Sequence, residues 1–251
     1  MALPQARRRR HDRVSALPIR LYGGVLALLL SAWGAAAAPT AAEARLIEGF
    51  ERIAFGVEIA GTFGGGRYLK RFAGPVGFAI DDRSASGRAR EARTFLASLD
   101  RRIDGLDSSV LGDPGRANFL VHIVDRKDYQ SVGRAIYRNP FMTVPGDCIV
   151  RVSFGRRGIV RSDALIVADE GDVLFTRCLI EEVLQGLGPL DDNPDAADSV
   201  FNDTSTLTRF SRYDRIMLNM LYDTRLMPGM TAETAGPLLP DIARDTRRRV
   251  R

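Results

Sequence analysis

The stretch CIVRVSFGRRGIVRSDALIVAD, residues 148–169, carries two apolar runs on either side of Gly-Arg-Arg-Gly. Runs rich in Val and Ile around a tight glycine-bearing turn predict two strands paired antiparallel, and every other element must be arranged around that pair. Upstream, LKRFAGPVGFAIDD (69–82) reads as a strand interrupted at Pro75, and SGRAREARTFLASLDRRI (86–103) as a helix opened by Ser86. NFLVHIVD (118–125) reads as a further strand and DYQSVGRAIYR (128–138) as a short helix. Downstream, TRCLIEEVLQGLG (176–188) has helical spacing and ends at a glycine placed for a C-cap. A polar loop, DDNPDAADSVFNDTST (191–206), separates it from a helix over SRYDRIMLNMLYD (211–223), where Ser211 and Asp214 have capping-box spacing. The last element, from Thr231, is expected to be helical but broken at Pro237 and Pro240. No internal repeat is evident.

The N-terminus has the grammar of an export signal. Arg7 to Arg10, Arg13 and Arg20 precede the short apolar stretch GGVLALLLSAWGAAAA (23–38), and small residues offer cleavage after Ala37 or Ala44. Residues 1–44 are therefore read as a signal peptide, with an uncleaved membrane anchor as the rival. Residues 45–66 are read as a helix (ARLIEGFERIAFG, 44–56) followed by a glycine-rich linker (GTFGGGR, 61–67), and 67–251 as the main domain. The linker lacks the Lys and Ser/Thr of a phosphate loop.

Charge follows from this division. The formal +5 includes six arginines of the signal, balanced only by Asp12 and Glu43, so the remaining chain carries 30 basic and 29 acidic residues. The tail RDTRRRVR (244–251) holds five arginines and one aspartate, which leaves the body mildly acidic. That excludes a basic face for nucleic acid. The tail itself reads as a solvated terminus, or as a contact for an anionic envelope surface. Beyond the signal only Cys148 and Cys178 remain, and an even count in an exported chain predicts one disulfide between them.

The helix at 176–188 poses the functional question. Zinc peptidases of the zincin type carry HExxH, extended in metzincins to HExxHxxGxxH, where two histidines one turn apart hold the metal and the glutamate activates water. CLIEEVLQGLGPLDDN (178–193) is similar to that frame, with Glu181, Glu182, Gln185, Gly188 and Asp191 in its places. The element order also resembles the zincin arrangement: a mixed sheet with one antiparallel edge strand, lying against the helix that carries the motif. MPGM (227–230) either occupies the place of a metzincin methionine turn or is an ordinary loop. A closer resemblance is to the bacterial family called domain of unknown function 2927, carried by FERIAFGVE (50–58), RCLIEEVLQGLGPLDD (177–192), SVFND (199–203) and YDRIMLNMLYDTRLMPGM (213–230). It implies an exported zincin-like domain and supplies no catalytic residue.

Ordinary zinc chemistry is disfavoured by composition. A catalytic zinc needs three protein ligands, mostly imidazole or thiolate, and beyond the signal the one histidine is His122, within a strand. His122 alternates with Leu120 and Val124 and reads as a packed or half-exposed strand residue. Glu181, Gln185 and Asp191 form an oxygen-rich set that suits a hard cation better than zinc, though three ligands are few; no metal or cofactor is expected. Glu182 takes the general-base position, but adjacent helix residues diverge by ~100°, so Glu181 and Glu182 cannot flank one bond.

The expected fold is α+β: a zincin-like mixed sheet with an antiparallel edge strand, packed on an active-site-type helix, with helices at the C-terminal end. The expected function is that of a periplasmic or secreted, catalytically inactive metalloprotease-like domain binding a peptide or envelope partner, touching membrane only through an uncleaved signal. The alternative is a zinc-independent hydrolase with Glu182 as general base and Glu181, Gln185 and Asp191 positioning substrate. A third reading makes the glutamates and Gln185 polar helix residues bonded to a neighbouring loop.

Overall fold

The computed structural model describes residues 38–56 and 67–251. The stretch read as an export signal, apart from its last residues, lies outside them, as does nearly all of the glycine-rich linker. The described residues belong to one compact unit. No helix of the described residues is long and apolar enough to cross a membrane.

Five strands form one sheet: β1 (Val76–Asp82), β2 (Ser108–Val110), β3 (Phe119–Val124), β4 (Cys148–Gly155) and β5 (Gly158–Val167), in spatial order β2-β1-β3-β5-β4. The first four in that order are parallel to one another, and β4 is antiparallel to β5 at the edge. The fold is thus mixed α+β with one antiparallel edge strand, as expected. Arg156 and Arg157 make the two-residue turn, and Gly158 (φ 112°) closes it where a Cβ would lie 2.6 Å from the Arg71 carbonyl oxygen.

Helices cover both faces. Side chains alternate across the strands, so Ala164 and Ile166 of β5 face the main core with α2 (Ala89–Leu96) and α4 (Asp172–Gln185), while Leu165 and Val167 face α3 (Arg126–Tyr137). The main core also takes in α1 (Ala41–Phe55), through Phe50 and Ile53, together with α5 (Arg212–Leu221) and α7 (Leu239–Arg249). The short α6 (Ala232–Ala235) precedes a 3-10 turn at Gly236–Leu238.

Several boundaries differ from expectation, each for a physical reason. The regular helix expected over 86–103 stops at Leu96; Leu99 and Ile103 keep helical spacing and full burial, but the chain reaches them through turns. Its N-cap is Arg88, and the Asp82 carboxylate, rather than Ser86, accepts from the Ala89 N–H at 2.7 Å. The helix expected over 176–188 spans Asp172–Gln185, starting just after Gly171. Gly186 is its C-cap in right-handed conformation, and Gly188 (φ 143°) makes the reversal that follows. The strand expected from Leu69 begins only after Pro75. The arginine-rich tail is α7, which buries Ile242, Ala243 and Thr246; Arg247 faces Glu43 at 3.9 Å and Arg249 faces Asp104 at 2.6 Å.

Candidate functional site

α4 carries the EExxQ residues because β5 feeds directly into it and the helix lies back across β4 and β5. Cys178 is fully buried on its sheet-facing side and is bonded to Cys148 at the start of β4, with a Cα–Cα separation of 5.8 Å. The predicted disulfide is present. Only Cys148 begins its element, however, since α4 starts six residues before Cys178.

Beyond the bridge, the frame residues turn to different neighbours. Glu181 is 7% exposed and pairs with Arg177, one turn earlier, at 3.2 Å. Arg177 in turn donates to the Asp203 carbonyl at 3.2 Å. Gln185 Nε2 donates to Asp192 Oδ1 at 3.3 Å. The loop after α4 thus bonds both Arg177 and Gln185. Glu182 is 5% exposed, and its charge reaches the Tyr129 hydroxyl, helping burial to push that phenol up. Asp191 is half-buried and lies against Gly56, the C-cap of α1. Among the described residues no group of three or more His, Cys, Asp or Glu side chains is placed to hold a metal ion.

Sequence reasoning passed over Lys70, which the fold brings to this place. Its side chain is fully buried, and Nζ donates to the Tyr68 carbonyl (3.1 Å) and the Gly56 carbonyl (3.4 Å). The ammonium lies 5.2 Å from the Tyr68 ring centre and 5.4 Å from that of Phe154, at the end of β4. Burial pushes its pKa down to about 8, against the opposing pull of Asp191. Gly188 packs onto the Lys70 carbonyl, where a Cβ would come within 2.2 Å. The only sequence signal was a lysine inside an otherwise strand-like run, which is more often a solvent-facing residue.

His122 lies far from α4, on the α3 face of the sheet. Nδ1 is 3.2 Å from Asp81 Oδ2 and Nε2 is 3.4 Å from Asp163 Oδ1. Arg83 and Arg161 close the two ends of this row, at 2.6 and 2.8 Å from Asp81 and Asp163. Hydrogen bonds from these partners outweigh burial and hold both carboxyls below the usual range. MPGM packs on the β4–β5 turn, through Pro228 beside Gly158 and Gly229 against the Arg156 carbonyl, and leaves Met227 exposed.

The outer edge of β4 is the other exposed resource of this region. Val167 N–H donates to the Asp147 carbonyl, which fixes Ile149, Arg151 and Ser153 as the residues whose backbone groups face β5. Those of Cys148, Val150 and Val152 point outward. The Tyr137 hydroxyl donates to the Val150 carbonyl at 3.3 Å, and among the described residues the others have no partner strand, since β4 is the edge of the five-stranded sheet. A register shift between Ser153 and Phe154 interrupts the ladder, which resumes at Phe154–Ile159 and Gly155–Gly158.

No curated protein matches the chain. A family model described as a protein of unknown function, DUF2927, matches residues 43–241, from the first turn of α1 into α7, and so takes in the sheet, α4 and the loop beyond it. The chain belongs to the DUF2927 family.

Proposed function

We propose that this chain is an exported, zincin-like domain that does not cut, and that it holds an extended peptide or a strand of an envelope protein along β4. The observation that carries the reading is the outward row of backbone groups on an antiparallel edge strand, set beside a helix whose protease-like frame is occupied by other contacts. Strand addition draws its affinity from main-chain hydrogen bonds and needs no metal. The frame residues support binding rather than turnover: Glu181 is engaged by Arg177, Gln185 by Asp192, and Glu182 is covered. The disulfide from Cys148 to Cys178 fixes the spacing of edge strand and helix and accords with an oxidising compartment.

A proline scan tests this directly. Val152 directs its N–H outward, so Val152→Pro removes a donor from the open edge while leaving the β4–β5 ladder intact, as proline is tolerated on edge strands. Decapeptides selected from a random displayed library against residues 38–251 should shift the amide resonances of Val150 and Val152. They should bind Val152→Pro ~10-fold more weakly, the scale of one or two lost hydrogen bonds plus a clash. Equal binding to the proline variant would place the peptides elsewhere, and cleavage of them by the wild type would return Glu182 to consideration as a base.

A further inference from the structure

β4 sorts its side chains by chemistry. Cys148, Val150, Val152 and Phe154 pack, half-buried, against the main core on the α4 side of the sheet. Between them, Ile149 joins the smaller core under α3, and Arg151 turns to that same side, donating to the Ile136 carbonyl of α3 at 3.1 Å. Alternation along the strand therefore gives the edge an apolar ledge on one face and a guanidinium on the other. Phe154 extends the ledge to the half-buried Tyr68, the two rings meeting edge to face with centres 6.3 Å apart.

Arg151 has been left without a carboxylate. The residue directly across from it on β5 is Asp163, its partner by position. Both oxygens of Asp163, however, are taken by Arg161 at 2.8 Å, and one of them also by His122 at 3.4 Å. Asp147, the acidic residue just ahead of β4, is bonded to Arg126. Among the described residues no carboxylate pairs with Arg151, which turns instead to a neutral carbonyl. Its second cross-strand position lies on the open side of β4, because β4 is the edge of the five-stranded sheet.

We propose that β4 selects an extended segment carrying an apolar, an acidic and a second apolar residue in succession, with the apolar side chains beside Val150 and Val152 and the carboxylate meeting Arg151. This rests on the β4 reading and adds a sequence preference to it. Main-chain bonds along an added strand are open to any extended chain, so the alternating side chains decide which chain is held. A side chain on the added strand shares the face of the residue it lies beside. Two branched apolar side chains thus complete the burial of Val150 and Val152, while Arg151 favours glutamate and opposes lysine at the centre.

Nonapeptides with Val-Glu-Val, Val-Gln-Val, Val-Lys-Val or Ser-Glu-Ser between Ser-Thr-Ser flanks test this against residues 38–251, which contain the compact unit. Val-Glu-Val should bind tightest by calorimetry, about 5-fold over Val-Lys-Val and about 10-fold over Ser-Glu-Ser, and should shift the amide resonances of Val150 and Val152. Arg151→Glu should reverse the order of the glutamate and lysine peptides. Arg151→Gln, which keeps a donor for the Ile136 carbonyl, should erase the preference between them without weakening Val-Gln-Val; circular dichroism checks that both variants are folded. Equal weakening of all four peptides by either variant would make Arg151 merely structural and overturn the proposal. Equal affinity of the wild type for the glutamate and lysine peptides would also overturn it, and shifted Val150 and Val152 resonances would then leave the β4 reading standing. The same holds if none of the four binds while library-selected peptides still shift those resonances; if those fail too, both readings fall.

Discussion

Lys70 is an expensive residue to bury. Its ammonium gives up water for two carbonyls, two ring faces and the attraction of Asp191, and its pKa settles at about 8. Because the folded value lies below that of the unfolded chain, the unfolded state holds more protons between about pH 8 and 10, and unfolding free energy should rise with pH across that window. Lys70→Met should abolish the rise and add about 1–2 kcal/mol near pH 7, after allowance for water screening. Urea unfolding of both proteins near pH 7 and near pH 9.5 measures this; a methionine variant no more stable than wild type near pH 7 would refute it. At this scale the cysteine pair was legible, since an even count beyond the expected export signal sufficed. The shared spacing of Glu181 and Gln185 was legible too, but their destinations were not, because Asp192 and Asp203 arrive on a loop whose path is set by the buried Val200 and Phe201. Of the frame residues, Gln185 bonds that loop through Asp192, whereas Glu181 pairs with Arg177 on its own helix.

Helix ends show the same division between local and tertiary information. Ser211 and Asp214 form the capping box that their spacing announces, with Ser211 accepting from the Asp214 N–H at 3.0 Å. A second box, at Thr40 and Glu43, opens α1, and it bears on export. Cleavage after Ala37 preserves both partners, whereas cleavage after Ala44 removes them along with the Glu43 approach to Arg247. We predict that the exported chain begins at Ala38, read by chemical sequencing of its N-terminus; a start at Arg45 would contradict this. Thr40→Ala should cost about 1 kcal/mol of stability, measurable in urea. α2 was overextended because Leu96, Leu99 and Ile103 keep a helical period after the helix has ended. The helical element expected from Thr231 is present, and it is interrupted at Pro237 as expected; Pro240 does not break α7, because it falls within the first turn, where proline is tolerated, and a narrow stripe at Leu239, Ile242, Ala243 and Thr246 is buried beneath its charged outer face.

For the molecule as a whole, the mixed sheet and its antiparallel edge followed from the element order and the Gly-Arg-Arg-Gly turn. β2 did not, since three residues paired through their main chain to β1 carry no pattern. Replacing both cysteines with alanine should lower stability by about 2–4 kcal/mol, seen as an earlier urea midpoint, with little effect on a control treated with reductant. The bridge has a second consequence. With it closed, residues 148–178 form a covalent ring that contains the whole hairpin and the first half of α4. Two copies that partly unfold at high concentration can trade segments, but neither can lend its edge strand to the other's α4 without opening that ring. Every oxidised molecule therefore builds its edge strand and EExxQ helix from one chain, and dimers made by exchanging the hairpin alone can arise only in the interval before the thiols meet.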